Sequence, residues 1–363
     1  MENHKHQSTD NVALVVGSTG MAGSNLASKL LENGWYVYGL SRSSKNNPDG
    51  VKAIAADLLD IDQLTEALKN VAPTHVFFTT WMRNDTELEN IRVNSALVRN
   101  LLDVLSVKKS VKHVALVTGL KHYLGPFEAY AKEGTLPQTP LREEQPRLDL
   151  DNFYYAQEDE VYAAAARDGF TWSVHRPHTL IGYAVGNLMN LGTTLAVYAS
   201  ICKQEGSPFV WPGSEAQWNG LSDVTDARIL ADQLLWAATT SEAKNTAFNI
   251  VNGDTFRWKW LWQKIADYFG LEIDGYNGTM RPLDERLALE AETWTKIAEC
   301  HNLQESDLTK ISTAWHTDLD LGRPIEVMTD MARSRKLGFT AYQPTEASFF
   351  DLFDKLREAK LIP

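Results

Sequence analysis

The stretch VALVVGSTGMAG, residues 12–23, decides the fold class of this chain. It begins with an apolar, β-branched run, which is typical of a strand buried inside a parallel sheet. Three glycines follow at G-x-x-G-x-x-G spacing, and apolar residues at helical spacing start directly after them. Glycines at such a junction let the backbone approach a pyrophosphate, which binds the N–H groups of the helix N-terminus; a tight turn without a ligand is the alternative. The expected dinucleotide contacts are Gly17, Thr19, Gly20, Met21 and Gly23.

Strands and helices alternate from this stretch onward. Apolar runs predict six strands, at residues 12–17, 35–40, 51–57, 75–80, 113–119 and 171–177. Apolar residues at helical spacing predict the intervening helices, at residues 21–31, 61–71, around 91–105 and 156–167. This order is typical of an α/β fold with a Rossmann-type doubly wound parallel sheet.

After residue 177 the pattern loosens, although an amphipathic helix and one further strand follow within residues 221–253. We expect a dinucleotide-binding Rossmann domain at residues 11–185 and 220–252, and a disordered tail at residues 1–10. A smaller, mainly helical substrate-binding domain is expected at residues 186–219 and 253–363. Its core is expected to contain the tryptophans Trp258, Trp260 and Trp262.

Composition excludes several partners. A formal net charge of −12 argues against nucleic acid and anionic membranes, both of which bind basic surfaces. No apolar run reaches the roughly 18–20 residues that a membrane span needs. The two cysteines, Cys202 and Cys300, lie far apart, which indicates reduced thiols in the cytoplasm. No ligand spacing predicts a metal site, and a homodimer is the working expectation for the oligomeric state.

The end of the second strand bears on the choice of cofactor. An NAD site usually has an acidic residue there for the ribose hydroxyls, whereas the 2′-phosphate of NADP needs a cation. This chain has Ser41, Arg42 and Ser43 and no acid, which favours NADPH; a solvated basic turn is the alternative. Asp57 and Leu58 are expected at the adenine edge, unless Asp57 caps the following helix instead.

Short-chain dehydrogenases/reductases generally use a Tyr-x-x-x-Lys pair on one helix, and this chain departs from that pattern. No lysine lies four residues after either Tyr154 or Tyr155. Lys121, directly after the fifth strand, could support the tyrosine from another direction. Thr80 and Trp81 end the fourth strand, where the chain should pass the middle of the cofactor.

Four stretches resemble the progesterone 5β-reductase/iridoid synthase-like family, which comprises atypical short-chain dehydrogenases/reductases. They are TGLKHYLGPFE (residues 118–128), NFYYAQED (152–159), WSVHRPHTLIGY (172–183) and EGSPFVWPGS (205–214). Members of that family are NADPH-dependent 1,4-reductases of enones and enals. The resemblance therefore implies that this chain reduces the C=C bond of small apolar enones or enals.

The resemblance also implies roles for individual residues. It assigns the catalytic lysine to Lys121 and the catalytic tyrosine to Tyr155, with Tyr154 as the alternative. Phe127 is expected to line the substrate pocket. The positions expected along the nicotinamide or the substrate are Trp81, Lys121, Tyr155, Leu180, Asn187, Leu188 and Met189. A cationic Lys121 beside the tyrosine would lower the pKa of the phenol.

Two rival functions stay open at this level. A carbonyl reductase would use the same cofactor and deliver hydride to the carbonyl carbon. A non-catalytic dinucleotide-sensing regulator would keep the glycine-rich turn without the chemistry, and the presence of both Lys121 and a tyrosine argues against it.

Overall fold

Seven parallel strands, six from the first half of the chain and the seventh at residues 246–250, form the central sheet in the order β10-β6-β5-β4-β1-β2-β3. The computed structural model describes residues 11–126 and 137–363, so that the expected tail and Phe127 lie outside the described residues. The strands of the sheet are β1 (Val12–Val16), β2 (Tyr36–Ser41), β3 (Lys52–Ala55), β4 (His75–Phe78), β5 (His113–Val117), β6 (Thr171–Pro177) and β10 (Thr246–Ile250). Two short parallel pairs lie beside it: β7 (Leu180–Ile181) with β9 (Thr225–Asp226), and β8 (Phe209–Val210) with β11 (Ile273–Asp274).

Strand β1 is an interior strand, paired with β4 on one side and β2 on the other, and its side chains are almost wholly buried on both faces of the sheet. The chain leaves β1 toward β2 and β3, then crosses to β4 on the other side of β1. In open parallel sheets, ligands bind outside the carboxyl ends of the strands where the order reverses in this way. The topology therefore places a crevice between the turns that follow β1 and β4.

Helices cover both faces of the sheet and build the rest of the protein. The longer helices are α1 (Met21–Glu32), α2 (Ile61–Leu68), α3 (Glu87–Ser106), α5 (Phe153–Asp168), α6 (Leu191–Glu205), α8 (Ala227–Thr239), α9 (Trp258–Phe269), α11 (Ala291–His301), α12 (Ala314–Leu321) and α14 (Thr345–Glu358). The short ones are α4 (Lys121–Leu124), α7 (Glu215–Asn219), α10 (Leu283–Leu287) and α13 (Ala332–Lys336). Helices α1 and α8 pack on one face of the sheet, and α2, α3 and α5 on the other.

The helices after β7 enclose a second, aromatic core. Trp258 and Trp262 are buried in it as expected, and the Trp262 ring stacks on Phe209 with centroids 4.0 Å apart. The expectation for Trp260 was wrong: its side chain is 44% exposed, because it lies on the opposite face of α9. The domain boundaries remain a prediction.

The predicted α/β fold is confirmed, and the differences concern where elements begin and end. Strand β4 ends at Phe78, so that Thr80 and Trp81 lie in the turn after it rather than at its end. Helix α5 starts at Phe153 rather than Ala156, because the Asn152 side chain caps it by accepting a 3.0 Å hydrogen bond from the Tyr154 N–H. Both tyrosines of NFYY consequently lie in its first turn. Within the described ranges, no helix is both long and apolar enough to cross a membrane.

Candidate active site

Two adjoining cavities open at the carboxyl ends of the central strands. The larger, of about 310 Å³, follows the turns after β1, β2 and β3. The smaller, of about 200 Å³, lies between the ends of β5 and β6 and helix α12. Thr79 and Trp81 line both cavities, so the two form one groove across the point where the strand order reverses.

The glycine-rich turn has a geometry that a side chain would disrupt. Gly17 adopts φ of +84°, and a Cβ there would lie 2.8 Å from the Cβ of Thr80. A Cβ on Gly23 would lie 2.2 Å from the Gly17 carbonyl oxygen, so Gly23 lets α1 pack against the turn. Thr19 and Gly20 line the larger cavity beside Gly17. The turn fits the close approach of a pyrophosphate to backbone N–H groups.

The residues predicted for the adenosine end come together at the larger cavity. Its lining includes Ser41, Arg42, Ser43, Asp57, Leu58 and Thr80. Arg42 is exposed, and the Ser41 hydroxyl donates a 2.6 Å hydrogen bond to the Ser43 carbonyl, which holds the turn. The Asp57 side chain accepts from the Leu59 N–H, whereas α2 is capped by Asp60. The alternative helix-cap role for Asp57 is thus taken by Asp60, and Asp57 remains at the cavity.

Lys121 begins the short helix α4 directly after β5 and lines the smaller cavity. Its side chain is buried among aromatic rings. The ammonium nitrogen lies 4.6 Å from the ring centroid of Phe153, 5.0 Å from that of Trp81 and 5.7 Å from that of Tyr154. Ring faces attract cations, so this arrangement keeps a positive charge at the end of the groove.

The two tyrosines of NFYY point in different directions, because successive residues on a helix face different sides. Tyr154 lines the smaller cavity, with its ring edge 3.4 Å from the position that a Cβ on Gly119 would occupy. Tyr155 does not line it. The Tyr155 hydroxyl donates to the His122 carbonyl at 2.6 Å and accepts from the Leu148 N–H at 3.0 Å.

The choice of Tyr155 as the catalytic tyrosine does not fit this geometry. Its hydroxyl already forms hydrogen bonds with two backbone groups, one as donor and one as acceptor. The Arg147 guanidinium lies over its ring, 4.8 Å from the centroid. Burial raises the pKa of Tyr155, contrary to the lowering that was expected from a neighbouring Lys121. The tyrosine that faces the cavity together with Lys121 is Tyr154, the alternative left open above.

Five of the residues predicted along the nicotinamide or the substrate line the smaller cavity: Trp81, Lys121, Leu180, Asn187 and Met189. Met21, predicted with the glycine-rich turn, lines it as well. Leu188 lines a neighbouring depression together with Thr19 and Gly20. Phe127 lies outside the described residues.

Four polar residues that line the smaller cavity were missed as site residues: His178, His316, Asp320 and Arg323. His178 is buried and forms hydrogen bonds with Asp223 and Arg323. The other three recur at i, i+4 and i+7 from α12 onward, a one-sided polar pattern that could have been noticed. In the part of the chain that the structure describes, no group of histidine, cysteine and acidic residues could hold a metal ion.

Comparison with known proteins agrees with this geometry. The model of the PRISE-like Rossmann-fold domain matches residues 55–363. A 3-oxo-Δ(4,5)-steroid 5β-reductase from Arabidopsis thaliana is 37% identical, over 100% of this chain and 96% of that protein. An (S)-8-oxocitronellyl enol synthase from Antirrhinum majus is 38% identical, over 97% of this chain and 93% of that protein.

Among solved structures, UDP-glucose 4-epimerase from Thermotoga maritima matches with a TM-score of 0.67, covering 96% of this chain and 99% of that one. UDP-glucose 4-epimerase from Thermus thermophilus, in complex with NAD, matches with the same TM-score of 0.67 and similar coverage, 96% and 99%. The identities are 14% and 15%, so these likenesses concern the fold alone.

Proposed function

This chain belongs to the progesterone 5β-reductase/iridoid synthase-like family with its PRISE-like Rossmann-fold domain, and from that premise we propose that it is an NADPH-dependent reductase of the C=C bond of enones and enals. The observation that carries the proposal is the position of Lys121 and Tyr154. Both line the smaller cavity, which is continuous with the glycine-rich turn through Thr79 and Trp81.

The residues of the groove fit a nicotinamide dinucleotide. Gly17 and Gly23 have no side chains that would keep a pyrophosphate away from the backbone, and Arg42 lines the cavity at the proposed adenosine end. Bound there, the cofactor supplies a hydride for the β-carbon of the enone. Once the β-carbon has gained hydride, the negative charge would lie on the carbonyl oxygen of an enolate, to which the Tyr154 hydroxyl would donate a hydrogen bond. A proton from water, added at the α-carbon, would complete the saturated product. The positive charge of Lys121 favours the same charge distribution from the same wall of the cavity.

Product analysis tests the reaction type. With NADPH deuterated at the transferred position, we expect a saturated ketone or aldehyde that carries deuterium on its β-carbon. An allylic alcohol with deuterium on the carbinol carbon would mean that the carbonyl-reductase alternative is correct. If no enone is turned over while NADPH binds, the chain is the non-catalytic dinucleotide sensor instead.

Arg42 is expected to select NADPH over NADH. Replacing it (Arg42→Ala) removes the cation proposed to pair with the 2′-phosphate, so the KM for NADPH should rise about tenfold. The KM for NADH, which lacks that phosphate, should change little. Lys45→Ala, an exposed substitution in the same turn outside the cavity lining, is the matched control. If Arg42→Ala raised the KM for NADPH and for NADH equally, Arg42 would not be a ligand of the 2′-phosphate.

The cellular setting is a further part of the proposal. Cys202 is buried and Cys300 exposed, and neither is in a disulfide, which supports a reducing, cytoplasmic environment. A homodimer remains the working hypothesis for its assembly, to be measured by light scattering.

A further inference from the structure

The smaller cavity is lined by two chemically different sets of side chains. Met21, Trp81 and Met189 are apolar and share the lining with Lys121 and Tyr154. The second set is polar and consists of His178, Thr179, His316, Asp320 and Arg323. We call these five residues the polar wall.

Hydrogen bonds hold the polar wall in one arrangement. His178 Nδ1 donates to the Asp223 carboxylate at 2.7 Å, and its Nε2 accepts from Arg323 at 2.6 Å. Arg323 also forms an ion pair with Asp320, whose second oxygen accepts from the Thr179 hydroxyl at 2.7 Å. Arg323 is only 6% exposed and Asp320 only 7%. The guanidinium is therefore held at the cavity between His178, which follows β6, and Asp320 of α12.

Two cations, Lys121 and Arg323, and one carboxylate, Asp320, line this cavity together with His316. Burial lowers the pKa of His316, Asp320 raises it, and Arg323, Lys121 and Arg83 lower it further. His316 thus stays neutral at neutral pH, with three cations and one carboxylate acting on it. Among the described residues its Nδ1 makes no hydrogen bond, and the nearest Asp320 oxygen is 3.9 Å away.

A wholly apolar enone would not match these surroundings. Its binding would remove water from charged groups without offering them a new partner, which costs free energy. A ligand with an anionic group at the end away from its enone would place its apolar part against the apolar side chains and the anion against the cations.

We propose that the substrate of this chain is an enone or enal that carries a carboxylate at its far end, bound by Arg323 and His316 of the polar wall. This inference rests on the proposed function and names its substrate class. Arg323 supplies the charge, and the neutral His316 supplies a ring N–H.

The test compares a straight-chain methyl-ketone enone that ends in a carboxylate with the methyl ester of the same compound. We expect the wild-type protein to prefer the acid by at least about tenfold in kcat/KM. In Arg323→Gln the acid should lose about tenfold to a hundredfold relative to the ester, while the Kd for NADPH stays unchanged. His316→Phe, which leaves the Asp320–Arg323 ion pair in place, should shift the same ratio by several-fold. Arg92→Gln is the matched control, because Arg92 is exposed on α3 and pairs with Glu89.

A binding measurement separates this inference from the proposed function. The saturated keto acid and its methyl ester are titrated into the protein with NADP, and tryptophan fluorescence reports binding. Tighter binding of the acid that depends on Arg323 supports the inference even if no enone is reduced. If the wild-type protein shows the same kcat/KM and the same Kd for the acid and the ester, the inference is wrong, although enone reduction can still be correct. Loss of NADPH binding in Arg323→Gln would also overturn it, because the polar wall would then serve the cofactor.

Discussion

Tyr154→Phe should lower kcat for enone reduction by about a hundredfold to a thousandfold, which is the usual effect of removing one donor to a developing oxyanion. The hydroxyl acts only as charge grows on the carbonyl oxygen, so the Kd for NADPH and the KM for the enone should change little. The measurement is steady-state NADPH oxidation, together with a direct titration of NADPH binding. Strongly activated enones should retain more activity, since their β-carbon accepts hydride with less help at oxygen.

Tyr155→Phe is the matched control, since it removes the same atom from the next residue of α5. It breaks the bonds to the His122 carbonyl and the Leu148 N–H, so it should lower the free energy of unfolding by about 1–3 kcal/mol. Its kcat should stay within a few-fold of wild type. If Tyr155→Phe abolished turnover and Tyr154→Phe did not, the assignment from the cavity geometry would have to be reversed.

Lys121→Met should lower kcat by about a hundredfold, because it removes the cation and leaves a neutral chain of similar length among the same rings. The rings of Trp81, Phe153 and Tyr154 can pack against the methionine thioether, so the fold should persist. Lys69→Met, an exposed substitution on the protein surface, provides the control and should leave turnover unchanged. Circular dichroism and thermal unfolding of each variant show whether the fold is intact.

The double variant Lys121→Met/Tyr154→Phe tests whether the two residues act together. Because both stabilise charge on the same oxygen, the combined loss should be smaller than the product of the single losses. Losses that multiply would show that Lys121 acts independently of Tyr154, for example only by holding the cofactor.

The cofactor end of the site could be predicted because its signals are local. The residues of the glycine-rich turn adjoin in the chain, and the steric need for Gly17 and Gly23 follows directly from the strand–turn–helix path. The residues after β2 and β3 follow strands whose carboxyl ends must meet at one edge of a parallel sheet. The order of elements alone was therefore enough to predict that Arg42 and Asp57 line the same cavity.

Sequence by itself determined the α/β class, the position of the nucleotide turn and the identity of Lys121 as a groove residue. Tertiary structure alone decided between Tyr154 and Tyr155, because the side of α5 that faces the cavity depends on how the helix docks, and one residue turns a side chain by about 100°. Tertiary structure alone also decided which residues form the polar wall. His178 follows β6, whereas Asp320 and Arg323 come more than a hundred residues later, at the end of α12. No local sequence pattern indicates that residues so far apart in the chain line the same cavity. They come within hydrogen-bonding distance only because α12 packs against the carboxyl end of β6.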